Sequence, residues 1–323
     1  MISIRNLSKR FGTLVALDSV NIELGAGELF GFIGPNGAGK STAMKILAGL
    51  LVQDSGEALV CGLDPRRDPD KVKRVIGYMP DFIGVYDDLT VDEYLQFFAS
   101  AFEIPSRNGK RRSVIDSILQ LTDLTEKRHT MVDSLSRGMT QRLGVARVLL
   151  HEPKVLLLDE PASGLDPRAR IELREILLTL RQMGKTLMVS SHILAELGEM
   201  STSIGIIEKG RMIFAGSMDE ALRRSGIGDR VAVTLEPPVN DEPAVSPDRA
   251  ALALEGDPRI SRVHVEDRQI IIDLHRPDSA NAAHSHHFLI EKLIACGARI
   301  ESFTPRTIKL EDAFLRLTKG QLN

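Results

Sequence analysis

The chain has 323 residues, 43% of them hydrophobic and 26% charged, a composition typical of a globular protein of one large domain or two ordinary ones. Its net charge of −3 argues against a nucleic acid held by bulk electrostatics. No apolar run approaches the ~20 residues that span a bilayer, and the N-terminus lacks the apolar segment of a signal peptide. Cys61 and Cys296 lie far apart in sequence, which favours reduced thiols over a disulfide. We therefore expect any membrane role to depend on another polypeptide.

The first third of the chain indicates strands followed by a strand–turn–helix unit. Apolar and polar residues alternate through Ile2–Leu7 and Val20–Leu24, which predicts a β-rich start with a turn near Gly12. An apolar strand is predicted at Glu28–Ile33 and a helix at Ser41–Gly49. Two further strands are predicted at Gly56–Cys61 and Val75–Met79.

The segment between the predicted strand and helix reads G-P-N-G-A-G-K-S-T and has the spacing of a phosphate-binding loop. Its glycines let successive backbone N–H groups surround a phosphate, while the following helix directs its positive dipole end to the same anion. Lys40 is expected to reach the β- and γ-phosphates, and the Ser41 hydroxyl to bind Mg²⁺. The expected nucleotide-binding residues here are Gly34, Pro35, Asn36, Gly37, Ala38, Gly39, Lys40, Ser41 and Thr42. The loop predicts that the protein binds a nucleoside triphosphate.

The middle of the chain predicts a helical insert within an α/β core. Apolar residues follow helical spacing from about Thr90 to Leu150, and we place the helical subdomain at about 85–150. The core resumes at Val155–Glu160, where four apolar residues end in two carboxylates, as in a buried parallel strand that delivers acids to its ligand-binding edge. Asp159 is expected to hold Mg²⁺, and Glu160 to polarise a water that attacks the γ-phosphate.

Strands and helices continue to alternate to about residue 222, which favours a mainly parallel sheet. A helix is predicted at Arg168–Arg181, a strand at Thr186–Ser190, a helix at Ile193–Glu199 and a strand at Ile204–Ile207. Residues 223–323 form a predicted small α+β domain of β-α-β-β-α-β order. Within it, Glu236–Pro247 is rich in proline and acid and is predicted to be a loop or linker. Its elements are Arg230–Leu235, Asp248–Leu254, Ile260–Val265, Gln269–Leu274, Phe288–Cys296 and Ala298–Phe303, with a last helix at Leu310–Leu317. His284, His286 and His287 stand in a polar stretch that we interpret as a solvated loop rather than a metal site.

A third motif, Leu135–Arg142, reads L-S-R-G-M-T-Q-R and precedes a helical run. Together with the first two motifs it resembles the ATP-binding cassette (ABC) ATPases, whose signature is Leu-Ser-Gly-Gly-Gln. Other elements follow in the family's order: Ser163–Asp166 after the acidic strand, and then His192. Phe11 stands where the family has an aromatic residue that stacks on adenine. The resemblance covers roughly residues 1–220 and implies a P-loop NTPase cassette, 1–222, ahead of the small domain.

The resemblance also implies a head-to-tail homodimer with two ATP sites between the subunits. Each site would take Lys40, Ser41, Asp159, Glu160 and His192 from one subunit, and Ser136 and Gly138 from the other. His192 would contact the γ-phosphate and order the attacking water, and Asp166 would also lie at the nucleotide.

Three residues depart from the family's pattern. Arg137 replaces the first glycine of the signature and Met139 replaces its glutamine. Asp81 stands where the family has a glutamine that senses Mg²⁺ and faces the membrane partner. Aspartate is a hard oxygen ligand, so Asp81 remains a candidate for contact with Mg²⁺.

These features favour an ATP-hydrolysing subunit that powers export by a separate membrane permease, at the cytoplasmic face of the membrane. A cassette followed by a small domain resembles the ATPases of type-2 exporters. Two alternatives remain open: a soluble ABC ATPase acting in DNA repair or translation, and a regulatory ATP-binding module with weak hydrolysis. No direct contact with nucleic acid is expected, and the sequence does not identify the cargo.

Overall fold

The chain divides into two units, Met1–Met218 and Asp219–Asn323, each with a buried apolar core. The computed structural model describes residues 1–84, 86, 88–193, 197–198, 200–217, 220–221, 227–237, 245–275 and 286–306. The helix predicted at Leu310–Leu317 and His284 lie outside the described residues, as do parts of the predicted helix Ile193–Glu199 and of the predicted linker. Among the described residues, no helix combines the length and the apolar character needed to cross a bilayer.

The first unit contains two sheets and a set of helices. Its strands are β1 (Ile2–Phe11), β2 (Leu14–Leu24), β3 (Leu29–Ile33), β4 (Ser55–Val60), β5 (Ile76–Met79), β6 (Val155–Leu158), β7 (Thr186–Ser191), β8 (Ser203–Glu208) and β9 (Arg211–Ser217). Its helices are α1 (Lys40–Leu47), α2 (Pro69–Val75), α3 (Val91–Ala101), α4 (Lys110–Leu121), α5 (Arg137–Leu149) and α6 (Pro167–Gln182), with short 3-10 turns at Arg107–Gly109, Thr125–Lys127 and Val132–Ser134.

The six-stranded sheet has the order β5-β6-β7-β3-β8-β9, and all neighbouring pairs are parallel except β8 and β9. Every residue of β3, β6 and β7 is buried, as expected for parallel strands that are covered on both faces. The carboxyl ends of these three adjacent strands therefore meet at one edge of the sheet. The phosphate-loop sequence follows β3, the two carboxylates follow β6 and His192 follows β7, so the topology gathers the predicted site.

The three-stranded antiparallel sheet has the order β2-β1-β4. Strands β1 and β2 form a hairpin whose turn includes Gly12, as the sequence predicts. Strand β2 reaches the predicted phosphate loop, because a Cβ on Gly39 would lie 2.5 Å from the carbonyl oxygen of Ala16. Gly39 also has a φ of +112°, so both the close approach and the backbone favour glycine there.

Two elements of the first unit are absent from the sequence-based prediction. Helix α2 is short and buries only Val72 among its residues, so its sequence has little helical periodicity. Because α2 ends at Val75, the strand predicted at Val75–Met79 begins one residue later, at Ile76. Strand β9 pairs antiparallel with β8 at the end of the sheet. Its buried and exposed residues alternate only weakly, so its sequence lacks a clear strand pattern.

The described part of the second unit from residue 227 onward is a four-stranded antiparallel sheet with two helices. Its elements are β10 (Ile227–Leu235), α7 (Pro247–Leu252), β11 (Ile260–Glu266), β12 (Gln269–His275), α8 (His287–Ala295) and β13 (Ile300–Arg306), and the sheet order is β11-β12-β10-β13. This is the predicted β-α-β-β-α-β order. The last strand starts at Ile300 rather than Ala298, because the Ala298 N–H donates to the carbonyl oxygen of Leu293 and closes α8.

A buried carboxylate joins two elements of the second unit. The Asp257 side chain is 4% exposed, and its Oδ2 lies 2.7 Å from Arg259 Nη2 and 2.8 Å from Lys292 Nζ of α8. The Arg259 guanidinium in turn lies 3.5 Å from the ring centroid of Phe288. Hydrogen bonds from Arg259 hold the pKa of Asp257 well below its usual range, against the opposing effect of burial and with further help from Lys292.

Asp257→Asn is therefore expected to destabilise the second unit by about 2 kcal/mol at neutral pH, since it removes one charged partner of these hydrogen bonds. A lowered pKa in the folded state stabilises the protein above about pH 4, the unfolded value, and this stabilisation is lost as the pH falls further. The difference between the two proteins should therefore shrink below pH 4. Hydrogen exchange of the backbone amides of residues 245–306 measures this difference in unfolding free energy. Asp267→Asn is the control, because Asp267 lies at an exposed turn. A difference that stays constant down to pH 2 would contradict this assignment.

Candidate nucleotide-binding and catalytic site

The predicted phosphate loop connects β3 to α1 and holds a buried ammonium group. Lys40 is 5% exposed, and its Nζ donates to the carbonyl oxygens of Gly34 at 2.6 Å and Pro35 at 3.3 Å. The same Nζ lies 3.1 Å from Glu160 Oε1. Helix α1 begins after Gly39, and no side chain caps its first turn. The loop therefore offers uncapped helical N–H groups next to a buried cation, an arrangement suited to an anion.

The two carboxylates after β6 are held by a serine of the neighbouring strand. Asp159 is 2% exposed, and its Oδ1 accepts a hydrogen bond from Ser190 Oγ at 2.7 Å. The same Ser190 oxygen accepts from the backbone N–H of Glu160 at 2.8 Å. Glu160 has a φ of +49°, a left-handed conformation that is uncommon outside glycine and that clusters at functional sites. Ser190 thus fixes both acids at the edge of the sheet.

Glu160 is also the centre of a chain of charged contacts. It is 9% exposed, with Oε1 beside Lys40 and Oε2 at 2.8 Å from His192 Nδ1. Although Oε1 is close to Lys40, no aligned hydrogen-bond donor reaches it among the described residues. This buried carboxylate oxygen therefore keeps an acceptor position that no described donor uses, and the His192 contact holds the carboxylate in one orientation.

The start of α5 carries the signature-like residues. Ser136 caps this helix, and its Oγ accepts from the Met139 N–H at 3.4 Å. Asp166 caps α6 in the same way, accepting from the Ala169 N–H at 2.9 Å. Ser136 is exposed, and no hydrogen bond or ion pair found in the described part of the chain joins it to Lys40, Glu160 or His192. The structure brings together the residues after β3, β6 and β7 but leaves Ser136 outside that group.

Phe11 ends β1 at the hairpin turn and is 48% exposed. Lys9 Nζ lies 5.5 Å from its ring centroid. Phe11 pairs with Leu14 at the end of the hairpin, and the same strand β2 contacts the predicted phosphate loop at Gly39 through Ala16.

Comparison with known proteins identifies the class of protein that this site belongs to. A family model described as ABC transporter matches residues 17–163. The linearmycin resistance ATP-binding protein LnrL of Bacillus subtilis is 30% identical over 322 residues, which cover 98% of each chain. The chain belongs to the ABC transporter ATP-binding proteins.

Other relatives agree with this family. The Nod factor export ATP-binding protein I of Ralstonia nicotianae is 32% identical over all of this chain and 95% of its own length. The probable multidrug ABC transporter ATP-binding protein YbhF of Escherichia coli is 36% identical over 73% of this chain, but this match spans only 40% of YbhF. A solved ATP-binding subunit of an ABC transporter superimposes with a TM-score of 0.63 and 28% identity, over 70% of this chain and 93% of that one.

Family membership confirms the resemblance predicted from the sequence. The predicted fold, a P-loop cassette with a helical insert and a small α+β portion, is confirmed as well. The predicted class of protein, an ATPase subunit of an ABC transporter, is confirmed at the level of the family. The roles predicted for individual site residues stay predictions.

The residues present in this ABC chain fit ATP with Mg²⁺. Lys40 is a buried cation beside an uncapped helix start, and Ser41 lies half-buried in the first turn of that helix. No cluster of three metal-ligating side chains occurs in the described portion of the chain. Mg²⁺ usually retains waters and takes only one or two protein ligands besides substrate phosphates. Ser41 and Asp159 supply hydroxyl and carboxylate oxygens of the type that this ion prefers.

Asp81 follows β5, next to the strand that delivers Asp159 and Glu160. Partial burial raises the pKa of the Asp81 carboxyl, and the negative charges of Asp159 and Glu160 raise it further, while Arg137 and His192 oppose the shift. Asp81 is therefore close enough to both acids to interact with their charges. A divalent cation near these carboxylates would favour the charged form of Asp81 and so oppose the rise in its pKa.

Two residues that support the site have no role in the sequence-based prediction. Ser190 was assigned only to a strand, and its position beside Asp159 follows from the pairing of β6 with β7. Tyr78 of β5 pairs with Leu157 of β6, and burial and then the charge of Asp159 raise its pKa to about 12. Neither residue belongs to a sequence motif, so only the strand order could have shown them.

Proposed function

We propose that this chain hydrolyses ATP at the site formed by Lys40, Glu160 and His192, and so powers export by a separate membrane permease. The observation that carries the proposal is the chain of contacts from the buried Lys40 through the buried Glu160 to the exposed His192, beside an uncapped helix start. Relatives that align over almost the whole chain support it, since one is named for Nod factor export and another for linearmycin resistance.

In this proposal Glu160 accepts the proton of the attacking water, and His192 holds its carboxylate in the orientation that this transfer requires. Lys40 moves its positive charge from Glu160 to the β- and γ-phosphates when the nucleotide binds. Bound Mg²⁺ would neutralise phosphate charge, and Ser41 and Asp159 would hold it, with Asp81 as a further candidate ligand. The backbone N–H groups of residues 34–42 would surround the phosphates.

We further propose that the functional unit is a head-to-tail homodimer. Ser136 and Gly138 lie at the start of α5, away from the contacts of Lys40 and Glu160 in their own subunit. A second copy would bring this helix start to the γ-phosphate, which the exposed Ser136 hydroxyl and the helix dipole both favour. Phe11 would stack on adenine, and Asp166 would lie at the closed interface.

An exposed aromatic surface follows Asp81 and is the proposed contact with the permease. Phe82 is 85% exposed, Tyr86 51% and Phe97 50%, and the rings of Tyr86 and Phe97 lie 5.4 Å apart. Exposed aromatic side chains that cluster, as Tyr86 and Phe97 do, mark interaction sites, and we include Phe82 in the proposed contact because it follows Asp81 directly in the chain. With a permease bound here, the chain would work at the cytoplasmic face of the membrane.

A soluble ABC ATPase for DNA repair or translation is not favoured, because the relatives that align over almost the whole chain carry transport or resistance names.

The test is to recover the tagged full chain from detergent-solubilised membranes and to identify what accompanies it. We expect a multi-span membrane protein, and we expect Phe82→Arg to remove most of it, since this side chain is almost fully exposed and its loss should not affect folding. Leu252→Arg is the matched control, because Leu252 is a 65% exposed apolar residue of α7. A ribosome or a DNA-repair complex in place of the membrane protein would contradict the proposal, and equal recovery with Phe82→Arg would contradict the contact surface.

A further inference from the structure

We propose that Arg137, which stands where the ABC signature has a glycine, is a positioning residue that joins the start of α5 to the turn after Glu160. It would thereby keep Glu160 in its working orientation. This inference rests on the proposed function, because it takes Glu160 as the residue that accepts the proton.

The guanidinium of Arg137 lies directly on the backbone of Gly164. A Cβ on Gly164 would lie 2.4 Å from Arg137 Cζ and 2.6 Å from each of its terminal nitrogens. The planar group therefore occupies the position of a Cβ at residue 164, so a side chain there would have to displace the guanidinium. A φ of +66° at Gly164 adds a second reason for glycine there.

A second contact joins the same two elements. A Cβ on Gly138 would lie 2.8 Å from the Cβ of Ala169, so the first turns of α5 and α6 touch each other. Ala169 is itself fixed, because its N–H donates to the cap residue Asp166. Arg137 thus extends a close helix–helix contact onto the turn that leads into α6.

That turn begins at Glu160. The Ser163 N–H donates to the carbonyl oxygen of Glu160 at 3.0 Å, and Gly164 is the next residue. Glu160 has an uncommon backbone conformation that its surroundings must hold in place. Ser190 holds it from the N–H side, and the Arg137–Gly164 contact would hold the turn on the other side.

Arg137 differs from a residue that simply packs a helix. It is exposed, whereas Arg142 of the same helix is 6% exposed and bonded to Asp123. An exposed arginine contributes little to the apolar core, so its loss should leave the unfolding free energy nearly unchanged. Its effect should appear in the catalytic step.

The test is a double-mutant cycle of Arg137→Ala and Gly164→Ala, measured as kcat and KM for ATP hydrolysis by the full chain. We expect Arg137→Ala to lower kcat about threefold to tenfold, with KM and the melting temperature unchanged. Gly164→Ala should lower kcat to a similar extent, because its methyl group would displace the guanidinium. The double variant should lie within about twofold of either single variant, since both changes break one contact.

Gly184→Ala provides the matched control. Gly184 has a φ of +83° but open space around its Cβ position, so this change measures the backbone strain without the contact. A double variant whose loss equals the product of the single losses would overturn the inference. So would an unchanged kcat in Arg137→Ala, or a loss of kcat that comes with a raised KM and a lower melting temperature.

ATP-dependent dimer formation by a Glu160→Gln chain is measured alongside. If that dimer fails to form, the proposed function fails; if it forms and the cycle is additive, only the role of Arg137 is overturned.

Discussion

Glu160→Gln is expected to lower kcat for ATP hydrolysis at least about 100-fold, the range in which the loss of a positioned general base falls. The amide keeps the size of the side chain and the hydrogen bond with His192 but cannot accept the proton. The change weakens the contact between Lys40 Nζ and residue 160 but leaves the loop itself unaltered. We therefore expect the variant to bind ATP as well as the native protein does.

The same variant should accumulate as an ATP-bound dimer, which sedimentation or size-exclusion chromatography with light scattering would detect. Glu152→Gln is the matched control, because Glu152 is exposed and has a φ of +54°, close to the +49° of Glu160. A Glu160→Gln chain that hydrolyses ATP at the native rate would remove Glu160 from the mechanism. A chain that stays monomeric with ATP would instead contradict the composite site.

Lys40→Ala is expected to weaken nucleotide binding about 10- to 100-fold, since it removes the charged hydrogen bonds that an ammonium group makes to phosphate. It also leaves the 9% exposed Glu160 carboxylate without its cation, which adds an unfavourable charge beside the phosphates. Isothermal titration of ADP measures the loss without interference from hydrolysis.

Lys45→Ala is the control for this change, because Lys45 is an exposed residue of the same helix. It removes the same charge at a distance from the loop and should leave ADP affinity within about twofold, given the small contribution of exposed charges. Equal ADP affinity for Lys40→Ala and the native chain would show that the loop does not bind phosphate as proposed.

The phosphate loop and the acidic strand could be read from sequence because each is a local pattern with one physical explanation. Residues 34–42 combine a strand end, glycines and a helix start, and the structure has all three. Val155–Leu158 is continuously apolar because a central parallel strand is buried on both faces. The short helix α2 left no such pattern, since it buries a single residue.

The contacts between these motifs could not be read in the same way. Nothing in the sequence places Ser190 beside Asp159, or the Arg137 guanidinium on Gly164. Both contacts join segments 27 or more residues apart, and they depend on strand order and on how α5 meets α6. The sequence motif at residue 137 shows a departure from the family, whereas the structure shows what the arginine touches.

The sequence by itself determined the family and the fold class and predicted the chemistry of the nucleotide site, because backbone conformation and burial along one strand or loop are encoded locally. Only the tertiary structure decided which groups meet there. It joined Lys40 to Glu160, which lie more than a hundred positions apart in the chain, and Glu160 to His192, because parallel strands bring their carboxyl ends together at one edge of the sheet. It also joined α5 to the turn at Gly164, because the start of this helix packs on that turn.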